Sequence, residues 1–195
     1  MSWLAHEVSV GVSPDVTVAD PRRLIAWSDA SFAGYNTKSQ TGVVITWAGS
    51  LVLWRSSKQT SSALSTCEAE VSAAATTWQI VEGLKALLAE WCVDLSPPIL
   101  LVDNKSALRV AELGGTWRTR YFAVRAARLA EESGKGNVDM RYCPTADMMA
   151  DALTKTAGAA VIKKVRDLCD GEPPKIPDQI QCYREGGPQH GGAKG

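Results

Sequence analysis

The sequence predicts an α/β fold: a mixed five-stranded sheet, three antiparallel strands followed by βαβ-type elements, flanked by helices. Three observations lead there. Short apolar runs follow one another between residues 24 and 54, a long segment of helical period succeeds them, and beyond it short apolar runs alternate with helical ones. With 195 residues, 45% of them hydrophobic, the chain can bury one sizeable core.

Strands are expected at 24–27, 42–47 and 51–54. Ala48-Gly49-Ser50 between the last two has the length and composition of a hairpin turn, which makes those strands antiparallel neighbours. In the segment 65–91, Val71, Ala74, Trp78, Val81, Leu84 and Leu88 stand three or four apart, the stripe of an amphipathic helix. Ser96-Pro97-Pro98 bounds it, since proline cannot continue a helix and disfavours helical geometry in the residue before it. A buried strand at 99–102 follows, then helices at 104–113 and 118–133 closed by Gly114-Gly115 and Gly134. A fifth strand at 138–143 and one broken helix or two over 147–156 and 159–169 complete the order. Residues 1–21 read as an N-terminal linker and 171–195, rich in Gly and Pro, as an extended tail, leaving 22–170 as the folded domain. Trp27, Trp47, Trp54, Trp78 and Trp91 fit core positions, whereas Trp117, between Gly115 and Arg118, is placed to lie against a nucleic acid.

Twenty-one basic residues balance 21 acidic ones, so no global field draws in a polyanion and any nucleic-acid binding must be local. Five dispersed cysteines without a Cys-x-x-Cys pair, and histidines only at positions 6 and 190, argue against zinc. They fit reduced thiols in an intracellular compartment, cytoplasm or nucleus. No apolar run approaches membrane-spanning length, so no membrane partner is expected. Serine nucleophile chemistry is disfavoured, because both histidines are remote and no Gly-x-Ser-x-Gly elbow occurs.

Four acidic residues stand at strand ends or helix starts: Asp29, Glu70, Asp103 and Asp151. A carboxylate directly after a buried strand is costly unless it is paired, hydrogen-bonded or metal-bound. Asp29 follows Leu-Ile-Ala-Trp-Ser and Asp103 follows Ile-Leu-Leu-Val; Asp103 alone reads equally well as a cap for the next helix. Ser65-Thr66-Cys67-Glu68 fits a capping box, giving Glu68 a local task at the amide of Ser65 and leaving Glu70 to reach the sheet edge. Between Asp147, suited to a helix start, and Asp151 one turn on, position alone does not choose.

Six segments then carry a resemblance: Ser28-Asp29-Ala30-Ser31-Phe32-Ala33-Gly34, Ser39-Gln40-Thr41-Gly42, Trp54-Arg55-Ser56-Ser57-Lys58-Gln59, Glu68-Ala69-Glu70, Val102-Asp103-Asn104-Lys105-Ser106-Ala107 and Ala150-Asp151-Ala152-Leu153-Thr154-Lys155. In this order, over residues 24 to 156, they resemble the successive motifs of copia-type retrotransposon ribonuclease H domains. The resemblance implies the RNase H fold and hydrolysis of the RNA strand of RNA/DNA hybrids. It also implies a site of Asp29, Glu70, Asp103 and Asp151 holding two Mg2+ ions, for which Mn2+ can substitute. Asp29 would bridge both ions, with Glu70 and Asp103 on one and Asp151 on the other. A reverse transcriptase domain of the same polyprotein is an implied partner. Ser31, Asn104 and Ser106 are candidates for 2′-hydroxyl contacts, and Lys58, Lys105, Arg118 and Arg120, with Arg55, for phosphates. The sequence departs from the family in lacking histidines around Tyr121, which bears on substrate contacts or packing, and its loop Cys143-Pro144-Thr145-Ala146 lacks the histidine that many RNases H outside the copia group use there, which predicts slower turnover. A catalytically weak or inactive module that binds nucleic acid or a polymerase is the alternative.

Overall fold

In the computed structural model, which describes residues 22–33, 37–113, 122–155 and 159–170 (for Val161 the backbone alone), five strands form one sheet in the order β3-β2-β1-β4-β5. They are β1 (Arg23–Ser31), β2 (Gln40–Trp47), β3 (Ser50–Lys58), β4 (Ser96–Val102) and β5 (Asp139–Tyr142). The pairs β1–β2 and β2–β3 are antiparallel, β1–β4 and β4–β5 parallel, which is the mixed sheet expected. The proposed linker and tail, Trp117, Arg118 and Arg120 lie outside the described residues.

Two strands differ instructively from expectation. The β2–β3 turn is only two residues long: Trp47 pairs with Ser50, and Ala48 (φ 49°) and Gly49 (φ 80°) make the reversal. Positive φ at both central positions matches the twist of the flanking strands, so Ser50 already belongs to β3. Strand β1 does not stop at Trp27, because antiparallel pairing with β2 continues to Ser31 opposite Gln40. Ser28 and Asp29 therefore lie inside the sheet, both fully buried.

One face of the sheet is covered by α1 (Thr66–Glu90), α2 (Lys105–Leu113) and α3 (Ala123–Gly134). Val71, Ala74, Trp78 and Val81 of α1 pack with Leu24, Ala26, Val43, Ile45 and Leu100 of the sheet, and Leu108, Ala126 and Leu129 extend this core. The prolines do not end α1. Cys92 turns left-handed (φ 59°) while its N–H bonds Ala89 and the N–H of Val93 bonds Leu88, a Schellman closure. Pro97 and Pro98 instead open β4, where a missing amide at the start of a strand is tolerated.

The other face is thinner. Ile25, Trp27, Val44, Ile99 and Leu101 are covered by Met148, Met149, Ala150 and Leu168. The helix expected over 147–156 is absent; two 3-10 turns, Thr145–Asp147 and Met149–Leu153, flank an extended Met148 (φ −74°, ψ 99°), and α4 (Ala159–Cys169) follows. Three consecutive residues, Met148, Met149 and Ala150, are all buried, which one face of a regular α-helix cannot achieve. Trp27 and Trp78 are buried and Trp47 partly so, as expected. Trp54 and Trp91 are not core residues, being 62% and 67% exposed. Trp54 stands on the edge strand β3, beyond the cover of the thin face, and Trp91 follows the last turn of α1. Among the described residues no helix is long and apolar enough to cross a membrane.

Candidate metal-binding carboxylate site

Parallel pairing sets Ser28 of β1 beside Val102 of β4, so the next residue on each chain is Asp29 and Asp103. The two carboxylates thus stand side by side at the carboxyl ends of neighbouring parallel strands, a common place for sites in such sheets. On its antiparallel side Asp29 faces Gly42. A Cβ at Gly42 would lie 2.6 Å from the Ala150 carbonyl oxygen, 2.7 Å from Thr154 Cγ2 and 3.1 Å from Leu153 Cβ. Only a hydrogen fits there. That close approach, with the Ser56 hydroxyl donating to the Leu153 carbonyl at 2.5 Å, holds the turn carrying Asp151 against β2 and β3. One carboxylate oxygen from each of Asp29, Asp103 and Asp151 then lies within 4.8 Å of the others.

Glu70 approaches from α1, on the opposite face, and lies outside that trio. It is 4% exposed, its Oε2 has no hydrogen-bond partner, and the backbone amide of Ala30 donates to its carboxylate. Burial, then the charges of Asp29 and Asp103, push its carboxyl up to about 9. Burial also raises Asp29 and Asp103 above the usual carboxylate range, opposed at Asp29 by the Thr154 hydrogen bond and reinforced at Asp103 by the charge of Asp29.

The pairwise choices left by the sequence come apart in space. Ser65 Oγ accepts from the Glu68 amide at 3.1 Å, but Glu68 reaches the amide of Leu64 (2.8 Å), one residue before the Ser65 amide expected. The cap of α2 is Asn104, whose Oδ1 accepts from the Ala107 amide at 3.0 Å, which leaves Asp103 free of that task. Asp103 instead accepts from the Thr145 hydroxyl at 3.3 Å. Asp147 pairs with Lys164 at 3.0 Å and is not in the carboxylate trio.

Four residues that the sequence did not single out shape the site. The Thr154 hydroxyl donates to Asp29 Oδ2. The Lys155 ammonium lies 2.5 Å from Asp151 Oδ1 and 3.5 Å from Asp29 Oδ1. Burial alone would lower the Lys155 pKa, but the Asp151 hydrogen bond and the surrounding carboxylates outweigh it and raise it. Gly42 permits the approach of the Asp151 turn, and Gln59 donates to Thr41 Oγ1 (3.1 Å) and the Ala69 carbonyl (2.8 Å), tying the first turns of α1 to the sheet. All four occur within the quoted segments; Lys155 was hidden because a lysine four residues after an aspartate usually reads as a solvated helical pair.

Ser31, Asn104, Lys105 and Ser106 line an open cleft of about 510 Å3 together with Glu70, Asp103 and Lys155. On its wall the Lys105 ammonium sits 4.7 Å from the centre of the Tyr142 ring. Arg55 and Lys58 are exposed on the edge strand and do not line the cleft. The donors at the centre are all hard carboxylate oxygens, and a buried one, Glu70 Oε2, lacks a partner within the protein. Such a set fits a divalent cation of the Mg2+ type.

The sheet order and flanking helices are those of the ribonuclease H fold. LC11-RNase H1, isolated from compost by a metagenomic approach, superposes with a TM-score of 0.55 over 74% of this chain and 99% of that one, at 19% identity. The same enzyme in complex with an RNA/DNA hybrid gives 0.52 over 73% and 99%, again at 19% identity. RNase H1 from the halophilic archaeon Halobacterium salinarum NRC-1 gives 0.50 over 76% and 98%, at 18% identity. Likeness at these identities establishes the fold.

Sequence narrows the relationship further. The chain is 30% identical over 138 residues, 68% of its length, to the Ty1-JR1 transposon Gag-Pol polyprotein of Saccharomyces cerevisiae, and equally so to the truncated Ty1-A Gag-Pol polyprotein of the same yeast. No family model matches. The resemblance read from the six segments is borne out: the chain is a relative of copia-type retrotransposon polyproteins and carries the RNase H fold. It spans 8% and 11% of the length of those two polyproteins.

Proposed function

We propose that the chain is a metal-dependent endonuclease that hydrolyses the RNA strand of RNA/DNA hybrids, with Asp29, Glu70, Asp103 and Asp151 holding the metal. The observation that carries this reading is the convergence of three carboxylates within 4.8 Å, with Glu70, whose Oε2 has no hydrogen-bond partner, facing them, at one end of an RNase H sheet. Two Mg2+ ions, or Mn2+ in their place, supply activation of the attacking water and stabilisation of the leaving oxygen when bound. The protein's part is to fix the ligands: the Ala30 amide orients Glu70, Thr154 orients Asp29 and Thr145 orients Asp103.

Substrate selection falls to the cleft. Ser31, Asn104 and Ser106 offer small polar groups for 2′-hydroxyls; since the Asn104 oxygen is used in capping, its amide NH2 is the free donor. Lys105 serves a phosphate, with Lys58, Arg118 and Arg120 as outlying contacts. Residues 22–170 form the catalytic unit, working beside a reverse transcriptase domain of the same polyprotein. The free Cys67, Cys92, Cys143 and Cys169 accord with a reducing compartment, the Cys143 thiol being pushed up to about 12 chiefly by burial.

The test is cleavage of an end-labelled RNA/DNA hybrid in Mg2+ and in Mn2+, beside duplex RNA and duplex DNA of the same sequence. The hybrid alone should be cut, and Asp103→Asn should abolish cutting without altering the circular dichroism of the fold. A hybrid bound but never cut in either metal would replace the enzyme with a binding module.

A further inference from the structure

We infer that Lys155 is an intramolecular counter-cation, whose ammonium takes the place of a divalent ion at Asp29 and Asp151 in the metal-free protein and must withdraw when metal binds. The inference rests on the carboxylate trio being a metal site, and it adds a competitor built into the same turn.

Three features distinguish this lysine from an ordinary surface partner. First, its contacts are with two members of the trio, Asp151 at 2.5 Å and Asp29 at 3.5 Å. In the pair Lys163–Asp167, with the same spacing of four residues, the lysine is 73% exposed and its aspartate stands outside the trio, an arrangement worth little. Second, Asp29 is fully buried, so water does not solvate it and its charge needs a partner. Its Oδ2 is satisfied by Thr154, while Oδ1 faces Lys155. A cation arriving at Oδ1 therefore meets the ammonium, whereas the Thr154 bond can persist and keep the carboxylate aimed. Third, Lys155 is anchored at one end and free to leave at the other: its backbone amide bonds the Asp151 carbonyl at 3.2 Å, yet its side chain is 44% exposed and lies on the cleft wall. The ammonium holds mutually repelling carboxylates together before metal arrives, and so raises the metal concentration needed to fill the site.

Mn2+ binding to the full chain, measured by titration calorimetry, separates the possibilities. Lys155→Met and Lys155→Gln, each first shown folded by circular dichroism, should bind Mn2+ about tenfold tighter than the parent. Both should melt at lower temperature without metal and gain more on adding Mn2+, while Lys155→Arg, which keeps the charge, should behave like the parent. Equal or weaker Mn2+ affinity in both uncharged variants, beside saturable binding by the parent, overturns the inference and leaves the metal site standing. Absence of saturable binding in every protein overturns the metal reading itself, and the inference falls with it.

Discussion

The two faces of the sheet are built by different rules. The face under α1, α2 and α3 is held by side-chain periodicity: Val71, Ala74, Trp78 and Val81 recur at helical spacing and lock onto Leu24, Ala26, Val43 and Ile45. The face under the 3-10 turns is held by backbone proximity, with Gly42 admitting the Ala150 carbonyl and Ser56 bonding that of Leu153. Alternation along the strands sends Asp29, like Ile25 and Trp27, to the thin face, and Asp103, like Leu101, to the same side. The thick face contributes Glu70 alone, from across the sheet end. Stability is thus concentrated on one side and ligand placement on the other.

Substitutions on each face should separate these roles. The largest effect on stability is expected for Trp78→Ala on the thick face, which removes the largest fully buried side chain and should cost about 3–5 kcal/mol in urea unfolding. Gly42→Val on the thin face should cost less, about 1–3 kcal/mol of overpacking, because the turn above it can lift. That lift carries Asp151 away from Asp29, so Gly42→Val should lose metal-dependent cleavage almost entirely while remaining folded. If it keeps full activity, backbone proximity does not place Asp151.

Glu70 links the faces through charge. Its carboxyl, ordinarily near 4.5, is raised to about 9 in the folded metal-free protein, so the folded state retains a proton that the unfolded chain releases. Its contribution to stability is complete below pH 4.5 and is lost as pH rises through about 9. Melting temperatures of metal-free protein across that range should fall with pH, and Glu70→Gln should flatten the fall. Smallest of all, Trp54→Ser on the edge strand should change unfolding free energy by no more than about 0.5 kcal/mol, as befits an exposed position. A larger loss would mean that the cover of the thin face reaches as far as Trp54.

What the sequence made legible follows the same division. The stripe of α1 and the order of strands were readable because each repeats a period that water imposes on a buried face. The pairing of Asp29 with Asp103 was also within reach, since both follow apolar runs that read as strands. The turn 149–153 was not, because three adjacent buried residues, Met148, Met149 and Ala150, carry no period and imitate a helix. Glycine at position 42 gives no sign of what approaches it from more than 100 residues away, and Lys155 looks like half of a surface pair until the fold brings Asp29 to it. Trp54 and Trp91 were misplaced for a related reason: hydrophobicity marks a residue as able to be buried, while edge position and helix length decide whether it is.

The claim that these carboxylates, gathered mainly on the thin face, form a metal site can be examined in crystals grown with Mn2+ and measured for anomalous scattering. A peak bounded by Asp29, Asp103 and Asp151 is expected, with Glu70 turned toward the same centre and the Lys155 ammonium withdrawn. A saturating Mn2+ concentration that leaves this position empty, or that places the ion elsewhere on the domain, would contradict it.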